Sequence, residues 1–501
     1  MKILLIRPPV PKFTIGLKNI MICEPLELEY VAAGITGHEV RILDLILEKG
    51  LSKCLVEFKP DIVGTSCYIN GVNEVIKICR QVKMWDPYCT TVVGGVQASK
   101  VPQDFSDPSV DCIVLGDGTS IIQEIVNAVQ YKLPLNSIPG LAFPCGNNEV
   151  CLSDPRNYMF NADLLPLPRR DLTKQLKSKY YYLFHQPVAL MKTTWGCWYR
   201  CNFCYTWQIT SGNIYSRSPE SIVDELNQID CNDIYIVDDI FLINPSRLFK
   251  LAELIRKNNI KKNYLVYSRA DFIVSHPEIV KEWAEIGLKA VFIGLEASTD
   301  PELDSMNKEC TVDFNRRSIE ILRQNKIDTY GSLIPQPDYD VKDWDRLYDF
   351  IEKNNLYYVN ISPLTPIPGT DIWDQYKDKI IVSRKAHSLW DFSHSVLPTK
   401  ISLKKYYRLL LKTYTKTCLN IRRANKLSLR TRPPIFSYRY IRLWLGAIKI
   451  FIQFFSAHKH HRQKNIIIAE NRGIELINSN ASQNNLQPKK LIRELEVGRI
   501  S

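Results

Sequence analysis

Long uncharged stretches are absent from this chain of 501 residues. No uncharged run approaches the roughly 20 residues that cross a bilayer, and the apolar stretch at residues 3–6 is too short for a secretory signal peptide. The fourteen cysteines lack the spacing of a secreted disulfide framework, so we expect reduced thiols. These absences predict a cytoplasmic protein, and 45% hydrophobic residues are enough for two or three domains.

Acidic residues are missing from one long segment. Residues 392–469 contain no Asp or Glu, whereas 17 Lys and Arg lie between Lys400 and Lys464. The net charge of +12 therefore comes from this segment, because the rest of the chain is mildly acidic. Such a concentration of cations indicates an anionic partner, either a membrane surface or a nucleic acid.

A fourth metal ligand is missing beside three cysteines. Cys197, Cys201 and Cys204 lie on one short loop after a predicted strand at residues 188–191, and the loop carries no further cysteine or histidine. Structural zinc prefers four ligands in two spaced pairs, and iron–sulfur clusters are normally held by four thiolates. Three thiolates would leave one iron free to bind a small molecule, which predicts a catalytic cluster. A zinc site and chance spacing are the alternatives.

Residues 1–145 alternate short apolar strands with helical stretches, which predicts a doubly wound parallel sheet covered on both faces. The predicted strands lie at residues 3–6, 39–43, 62–66, 91–95 and 112–116. Two of them end in Gly94-Gly95 and Gly116-Asp117-Gly118, where the backbone can approach a large flat ligand closely. The alternative is that these glycines only form tight strand-to-helix turns.

Residues 186–395 repeat a strand and a helix about every 30 residues, which predicts an α/β barrel with six strands. Polar residues follow several of these strands, at the face where such barrels carry their working sites. They are Asp238, Asp239, Arg269 and Glu296. Each alone could be a helix cap or a solvated charge, but together they indicate one functional rim.

The order Cys-x-x-x-Cys-x-x-Cys with its aromatic neighbours resembles the radical S-adenosylmethionine (SAM) superfamily. The resemblance implies a partial (β/α)6 barrel and a 4Fe–4S cluster on the three cysteines. Its open iron would bind SAM, and the reduced cluster would cleave SAM to a 5′-deoxyadenosyl radical. The predicted SAM contacts are Asp238, Asp239, Arg269, Glu296 and Ser298. The Asp-Asp pair stands where many relatives carry Gly-Gly-Glu.

The first 145 residues resemble the cobalamin-binding domains that are fused to radical SAM proteins. The segments Arg7-Pro8-Pro9, Gly37-His38-Glu39-Val40, Gly94-Gly95 and Gly116-Asp117-Gly118 follow the order seen in those domains. The predicted cobalamin contacts are Arg7, Pro8, Gly94, Gly95, Gly116, Asp117 and Gly118. The motif Asp-x-His-x-x-Gly, which supplies a cobalt-binding histidine in other cobalamin proteins, is absent, so we expect cobalt to lack a protein imidazole.

Together the two resemblances imply a cobalamin-dependent enzyme that methylates an unactivated carbon of a small-molecule or lipid substrate. One SAM would methylate cobalt and a second would yield the radical, with electrons from a donor of the flavodoxin or ferredoxin type. Short strings at residues 367–370 and 394–399 look similar to hopanoid methylases. The alternatives are a non-methylating radical SAM cyclase or rearrangement enzyme, an RNA-modifying radical SAM enzyme, and a non-catalytic iron–sulfur or cobalamin carrier.

The predicted division of the chain has five parts: a cobalamin-binding domain (1–145), a connector (146–185), the radical SAM barrel (186–395), a basic helical region (396–463) and a polar, disordered tail (464–501). In the basic region, apolar residues recur at helical spacing. They are Ile441, Trp444, Leu445, Ile448, Phe451, Ile452 and Phe455. An apolar face beside cations predicts peripheral contact with the inner face of a membrane. Packing on the barrel is the main alternative, and a nucleic-acid partner is not expected.

Overall fold

The computed structural model describes residues 1–156, 160–420, 422–423, 429, 431–434 and 436–461. The polar tail predicted from residue 464 onward lies outside the described residues. The strands in chain order are β1 (Lys2–Arg7), β2 (Met21–Ile22), β3 (Glu39–Asp44), β4 (Ile62–Ser66), β5 (Thr90–Gly94), β6 (Cys112–Val114), β7 (Leu141–Gly146), β8 (Glu149–Leu152), β9 (Tyr181–Tyr182), β10 (Val188–Met191), β11 (Thr194–Trp195), β12 (Tyr215–Ser216), β13 (Asp233–Ile236), β14 (Asn263–Ser268), β15 (Leu288–Glu296), β16 (Asp328–Leu333) and β17 (Tyr358–Ile361).

The α-helices whose bounds the structure defines are α1 (Leu26–Ala33), α2 (Leu51–Phe58), α3 (Val72–Trp85), α4 (Val96–Lys100), α5 (Gly118–Tyr131), α6 (Thr206–Ile209), α7 (Pro219–Gln228), α8 (Pro245–Lys257), α9 (Ala270–Ser275), α10 (Pro277–Ile286), α11 (Asp300–Ser305), α12 (Val312–Gln324), α13 (Val341–Lys353), α14 (Asp371–Tyr376), α15 (Leu403–Lys416) and α16 (Tyr438–His460). Short 3-10 helices connect several of these elements, the longest at Arg170–Lys179.

The first sheet has seven strands in the order β3-β1-β4-β5-β6-β7-β8. The first five strands of that order are parallel, and β7 and β8 continue the sheet as an antiparallel hairpin. Helices α1 and α5 cover one face, and α2 and α3 pack against the other. The predicted doubly wound sheet is therefore confirmed. Chain order reverses between β1 and β4, which is where ligands bind in sheets of this kind.

The second sheet contains six parallel strands in sequential order, β10-β13-β14-β15-β16-β17. Helices α7, α8, α10, α12 and α13 bury apolar side chains against its outer face, among them Leu248, Trp283 and Trp344. Because β10 and β17 are not paired with each other, the barrel is open along one side. The predicted partial (β/α)6 barrel is confirmed, with all working strand ends on one face.

Helices α15 and α16 confirm that the basic region is helical. Helix α15 buries Tyr406, Tyr407 and Leu410 against the barrel. Helix α16 follows it and packs on α15, with Phe454 buried in the same cluster. By length and composition α16 could cross a membrane, and it is the one helix in the described ranges that meets that criterion.

Candidate functional site

The cysteine loop is fixed at its first residue. Strand β11 pairs with β12, and Gly196 directly after it adopts φ +91°. A Cβ atom on Gly196 would lie 2.1 Å from the carbonyl oxygen of Asn213, so only glycine fits there. The Gly196 backbone N–H donates to the carboxylate of Asp239 at 2.8 Å. The loop therefore leaves the strand in one defined direction.

The three thiols lie at different depths. Cys201 is buried, whereas Cys197 and Cys204 are partly exposed. Burial raises the pKa of Cys197 to about 11, so this thiol stays protonated until a metal displaces the proton. Within the described part of the chain, no three Cys, His, Asp or Glu side chains converge on a single ion. A cubane cluster needs a wider arrangement, because each thiolate binds its own iron.

Asp238 and Asp239 follow β13 and contact different groups. Asp238 is buried and accepts hydrogen bonds from the Thr193 backbone N–H at 2.6 Å and from its hydroxyl at 2.5 Å. Burial raises the pKa of Asp238, although the charge of Lys192 opposes this shift. Asp239 pairs with Lys192 Nζ at 3.2 Å and remains partly exposed beside the loop. Asp238 thus holds two strand ends together, while Asp239 still presents oxygen atoms to the site.

Arg269, directly after β14, connects three segments of the chain. Its Nε donates to Asp271 at 3.1 Å, and its Nη2 donates to the carbonyl oxygen of Lys308 at 2.6 Å. Its guanidinium carbon lies 3.5 Å from the ring centroid of Tyr199, and Nη1 lies 3.8 Å from the sulfur of Cys201. A positive charge is therefore held beside the buried cysteine.

Glu296 ends β15 at a register shift, with φ +59°. Its carboxylate forms a buried ion pair with Lys308, whose Nζ lies 2.9 Å from Oε1. Burial alone would lower the pKa of Lys308, but the charges of Glu296 and Cys201 outweigh it and raise that pKa. Lys308 is thus a second buried cation near Cys201. Sequence reasoning missed it, because it lies in the loop between α11 and α12 without any motif.

Ser298 lies apart from this group. Its hydroxyl oxygen is buried and has no hydrogen-bond partner in the described ranges, and the residue lines a groove with Arg316 of α12 and Arg346 of α13. The structure therefore brings Asp239, Arg269 and Glu296 around the cysteine loop, whereas Ser298 faces a neighbouring groove.

The carboxyl ends of β1 and β4 face a large cavity of about 740 Å3. Arg7 and Pro8 line it from β1, and Ser66 and Tyr68 line it from β4. Arg7 Nη1 lies 3.3 Å from the buried carboxylate of Asp44, which fixes the guanidinium at this edge. Tyr68 is 60% exposed toward open space at the point where strand order reverses, and sequence reasoning missed it.

The glycines that end the neighbouring strands have different surroundings. Gly95 adopts φ +98°, and a Cβ there would lie 2.8 Å from the backbone nitrogen of Cys67. Gly94, which ends β5, precedes it. Gly116 adopts φ +113°, and nothing lies within 4 Å of the place a Cβ would occupy. Gly116 thus leaves space for a ligand at this end of the sheet, as a large flat cofactor such as cobalamin requires, whereas Gly95 permits close contact with the backbone of Cys67.

Asp117 and Gly118 have local contacts of their own. Asp117 caps α5, because its carboxylate accepts hydrogen bonds from the backbone N–H groups of Thr119 at 3.1 Å and Ser120 at 3.0 Å. A Cβ on Gly118 would lie 3.2 Å from Val31 of α1, so this glycine permits close packing of α5 against α1. Both residues hold the start of α5 at the end of the sheet where the cavity lies.

Tyrosines from the barrel strands line the interior of the cavity. They come from β13, β14, β16 and β17, and they are Tyr235, Tyr267, Tyr330 and Tyr358. The hydroxyl of Tyr235 donates to that of Tyr267 at 2.5 Å, and the rings of Tyr330 and Tyr358 lie 4.5 Å apart between centroids. The sequence contained the signal, since four of the six predicted strands carry tyrosine, but the spacing alone does not reveal which side chains point inward.

Comparison with known proteins identifies two domains of the chain. Residues 191–351 match the model of the radical SAM superfamily, and residues 18–126 match that of the B12 binding domain. The hopanoid C-3 methylase of Methylococcus capsulatus is 30% identical over 422 residues, which cover 82% of this chain and 79% of that protein.

Two solved structures share the fold. The cobalamin-dependent SAM radical enzyme OxsB with aqua-cobalamin bound superposes with a TM-score of 0.67 at 16% identity, covering 100% of this chain and 81% of that one. The methyltransferase TsrM from Kitasatospora setae, with cobalamin and a 4Fe–4S cluster bound, gives 0.60 at 17% identity, covering 75% and 78%. The chain is an enzyme that uses SAM, a 4Fe–4S cluster and cobalamin, and it belongs to the family of cobalamin-dependent radical SAM methyltransferases.

Proposed function

We propose that this enzyme methylates an unactivated carbon of a polycyclic isoprenoid lipid. The observation that carries the proposal is the cavity between the two domains. Its charged lining residues in the described part of the chain are Arg7, Glu24 and Glu27. The Glu24 carboxylate is engaged by the Leu190 backbone N–H and by Arg170. The rest of the lining is uncharged and rich in aromatic rings, which suits a rigid hydrocarbon better than a polar metabolite. Similarity to a hopanoid methylase supports the same substrate class.

The cavity is large enough for a substrate of this size. Its volume of about 740 Å3 lies in the upper part of the usual range for ligand pockets, about 300–1,000 Å3. Arg7, Pro8 and Tyr68 line the cavity at the carboxyl ends of β1 and β4, where we propose that cobalamin binds, and Tyr330 and Tyr358 line its aromatic part. A flat apolar molecule lying on these tyrosine rings would extend one end toward the working strand ends.

The cofactors supply the radical and the transferable methyl group when bound. We propose that Cys197, Cys201 and Cys204 hold the cluster. Asp239 and Glu296 would accept hydrogen bonds from the amino group of SAM, because both carboxylates lie beside the cysteine loop. The tyrosine lining would exclude water and hold the substrate, which protects a carbon radical from side reactions.

We assign Arg269 and Asp238 to the walls of this site. The donors of Arg269 are engaged by Asp271, by Lys308 and by the sulfur of Cys201, so its charge stabilises the anionic cluster and its planar group positions Tyr199. Ser298 faces the neighbouring groove, so the contact with SAM that we propose for it requires its segment to move. For cobalamin we propose contacts at Arg7, Pro8, Gly94, Gly95, Gly116, Asp117 and Gly118.

Reductive cleavage of SAM needs one electron at a time. We propose that a flavodoxin or ferredoxin supplies it in the cytoplasm, and that the enzyme contacts the inner face of the membrane, where an isoprenoid lipid would reside. The exposed indole of Trp198 on the cysteine loop lies on the side where such a donor would approach.

The decisive experiment uses SAM with a deuterated methyl group. Enzyme reconstituted without oxygen with iron, sulfide and cobalamin is mixed with a reductant and a pentacyclic hopanoid in detergent. We expect a hopanoid that has gained one deuterated methyl group, with equal amounts of 5′-deoxyadenosine and S-adenosylhomocysteine. Cys201→Ala should form neither deoxyadenosine nor methylated lipid. Deoxyadenosine without any methylated hopanoid would leave the radical chemistry intact and refute the lipid substrate.

A further inference from the structure

Helix α16 carries a row of exposed aliphatic and aromatic side chains. Ile441, Leu445, Ile448, Ile452 and Phe455 are each between 37% and 62% exposed. Their spacing of four, three, four and three residues places them on one side of the helix, and we name them the apolar stripe. Soluble proteins rarely expose a contiguous row of large apolar side chains unless it contacts something.

The opposite side of α16 is fastened along the protein. A Cβ on Gly446 would lie 1.9 Å from the carbonyl oxygen of Asn19, so the helix backbone touches the loop after β1 directly. Further along, Gln453 donates to the carbonyl oxygen of Thr14 at 3.3 Å. Near the helix end, His460 lies 3.0 Å from the buried His394. These contacts hold α16 parallel to the protein surface, which is the orientation of an interfacial helix and not of a spanning one.

A third side of α16 forms a wall of the substrate cavity. Tyr440, Ala447 and Phe451 are among its lining residues. Trp444, which is 50% exposed, also lines the cavity. Residues three and four positions apart are neighbours on a helix surface, so Trp444 lies between Tyr440 and Ala447 of the cavity wall and Ile441 and Ile448 of the stripe. The cavity and the exposed stripe therefore meet at this one indole ring.

Cations surround the apolar stripe. Lys449 and Lys459 are exposed on α16 itself, and Lys404, Lys405 and Arg408 are exposed on the neighbouring α15. The two groups meet near His458 at the end of α16. Burial lowers the pKa of His458, and the nearby charges of Lys404, Lys459 and Arg408 lower it further. No Asp or Glu occurs among residues 392–469. An apolar stripe with a cationic border is complementary to an anionic lipid surface.

We propose that the apolar stripe docks on an anionic phospholipid membrane and that the substrate enters the cavity from the bilayer past Trp444. This inference rests on the proposed lipid substrate. Docking would bring the cavity wall to the level of the acyl chains, so an isoprenoid could pass from the bilayer to the tyrosine-lined interior without crossing water. Helix α16 carries both the docking face and the entrance beside it.

The docking step is tested with the complete holoenzyme and vesicles. Wild-type enzyme should sediment with vesicles of phosphatidylcholine and phosphatidylglycerol (3:1), and binding should weaken in pure phosphatidylcholine and at 0.5 M salt. Leu445→Glu/Ile452→Glu should reduce vesicle affinity at least about tenfold, because it removes two apolar anchors and adds repulsive charge. Phe249→Glu, at an exposed apolar residue on α8, is the matched control and should bind like wild type.

The entrance is tested by how the substrate is delivered. With a hopanoid in the same vesicles, the double variant should methylate at least about tenfold more slowly than wild type. With the hopanoid in detergent the two should be equal. Equal vesicle binding by wild type and the double variant would overturn the proposal. It would also be overturned if wild type were a dimer and the double variant a monomer, because the stripe would then join two copies. Failure of any hopanoid to be methylated would overturn the lipid function, while vesicle binding would still decide the docking.

Discussion

The buried ion pair between Lys308 and Glu296 allows a quantitative test of the site. At 2.9 Å and an effective dielectric constant of about 20, the two charges attract each other by about 6 kcal/mol. Burying the two charges costs a comparable free energy, so the intact pair contributes little to stability. Removal of one partner leaves the other charge buried alone. We therefore expect Lys308→Met to lower the free energy of unfolding by about 3–5 kcal/mol.

The assay is urea unfolding of the cluster-free protein, followed by circular dichroism. Glu296→Leu should cost a similar amount, and Lys308→Met/Glu296→Leu should cost at least about 2 kcal/mol less than the sum of the single variants. Lys250→Met is the matched control, because Lys250 pairs with Glu220 at 2.6 Å on the surface and should change stability little. Additive costs in the double variant would refute the argument that each charge depends on the other.

Three further outcomes are expected. Gly196→Ala should lower the iron and sulfide bound after reconstitution to near zero, whereas Gly146→Ala, with the same φ of +91° but open space around it, should bind both normally. Burial lowers the pKa of His387 from 6.5 to about 4, so between these pH values the unfolded chain binds a proton that the folded protein does not. The free energy of unfolding should therefore drop by up to about 3 kcal/mol as the pH falls toward 4. His387→Gln should flatten the dependence of the urea midpoint on pH. Cys145 and Cys151, exposed on the β7–β8 hairpin, should react with maleimide in the native protein while the buried cysteines of the same sheet stay unmodified until urea is added.

Features that depend on neighbouring residues could be predicted from the sequence. The strand at residues 3–6 is a continuous apolar run because both faces of the first sheet are covered, and such a run is visible without a structure. The cysteine loop could be recognised for the same reason, since its three cysteines lie within eight residues. Local patterns were sufficient wherever the determining contacts are close in the chain.

Features that depend on distant segments could not be predicted. Lys308 reaches Glu296 only through the turn around α11, and no spacing rule marks such a lysine. The apolar residues of α16 were predicted as one face, but Phe451 lines the cavity while Ile452 is exposed. Hydrophobic periodicity records that a helix side is apolar, and it does not record whether protein, cavity or solvent lies against that side.

The direction of the barrel strands explains how charged cofactor groups and the proposed apolar substrate would meet. The chain leaves β13 through Val237 to reach Asp238 and Asp239, and it leaves β14 directly at Arg269. Val237 and Tyr267 line the cavity, so the carboxylates and the guanidinium begin within two residues of its uncharged wall. Polar side chains at the strand ends can bind a charged nucleotide, while the aromatic interior keeps water away from the carbon that reacts. Because the same strands carry both surfaces, the backbone of the sheet sets the distance between the polar residues at the strand ends and the aromatic wall of the cavity.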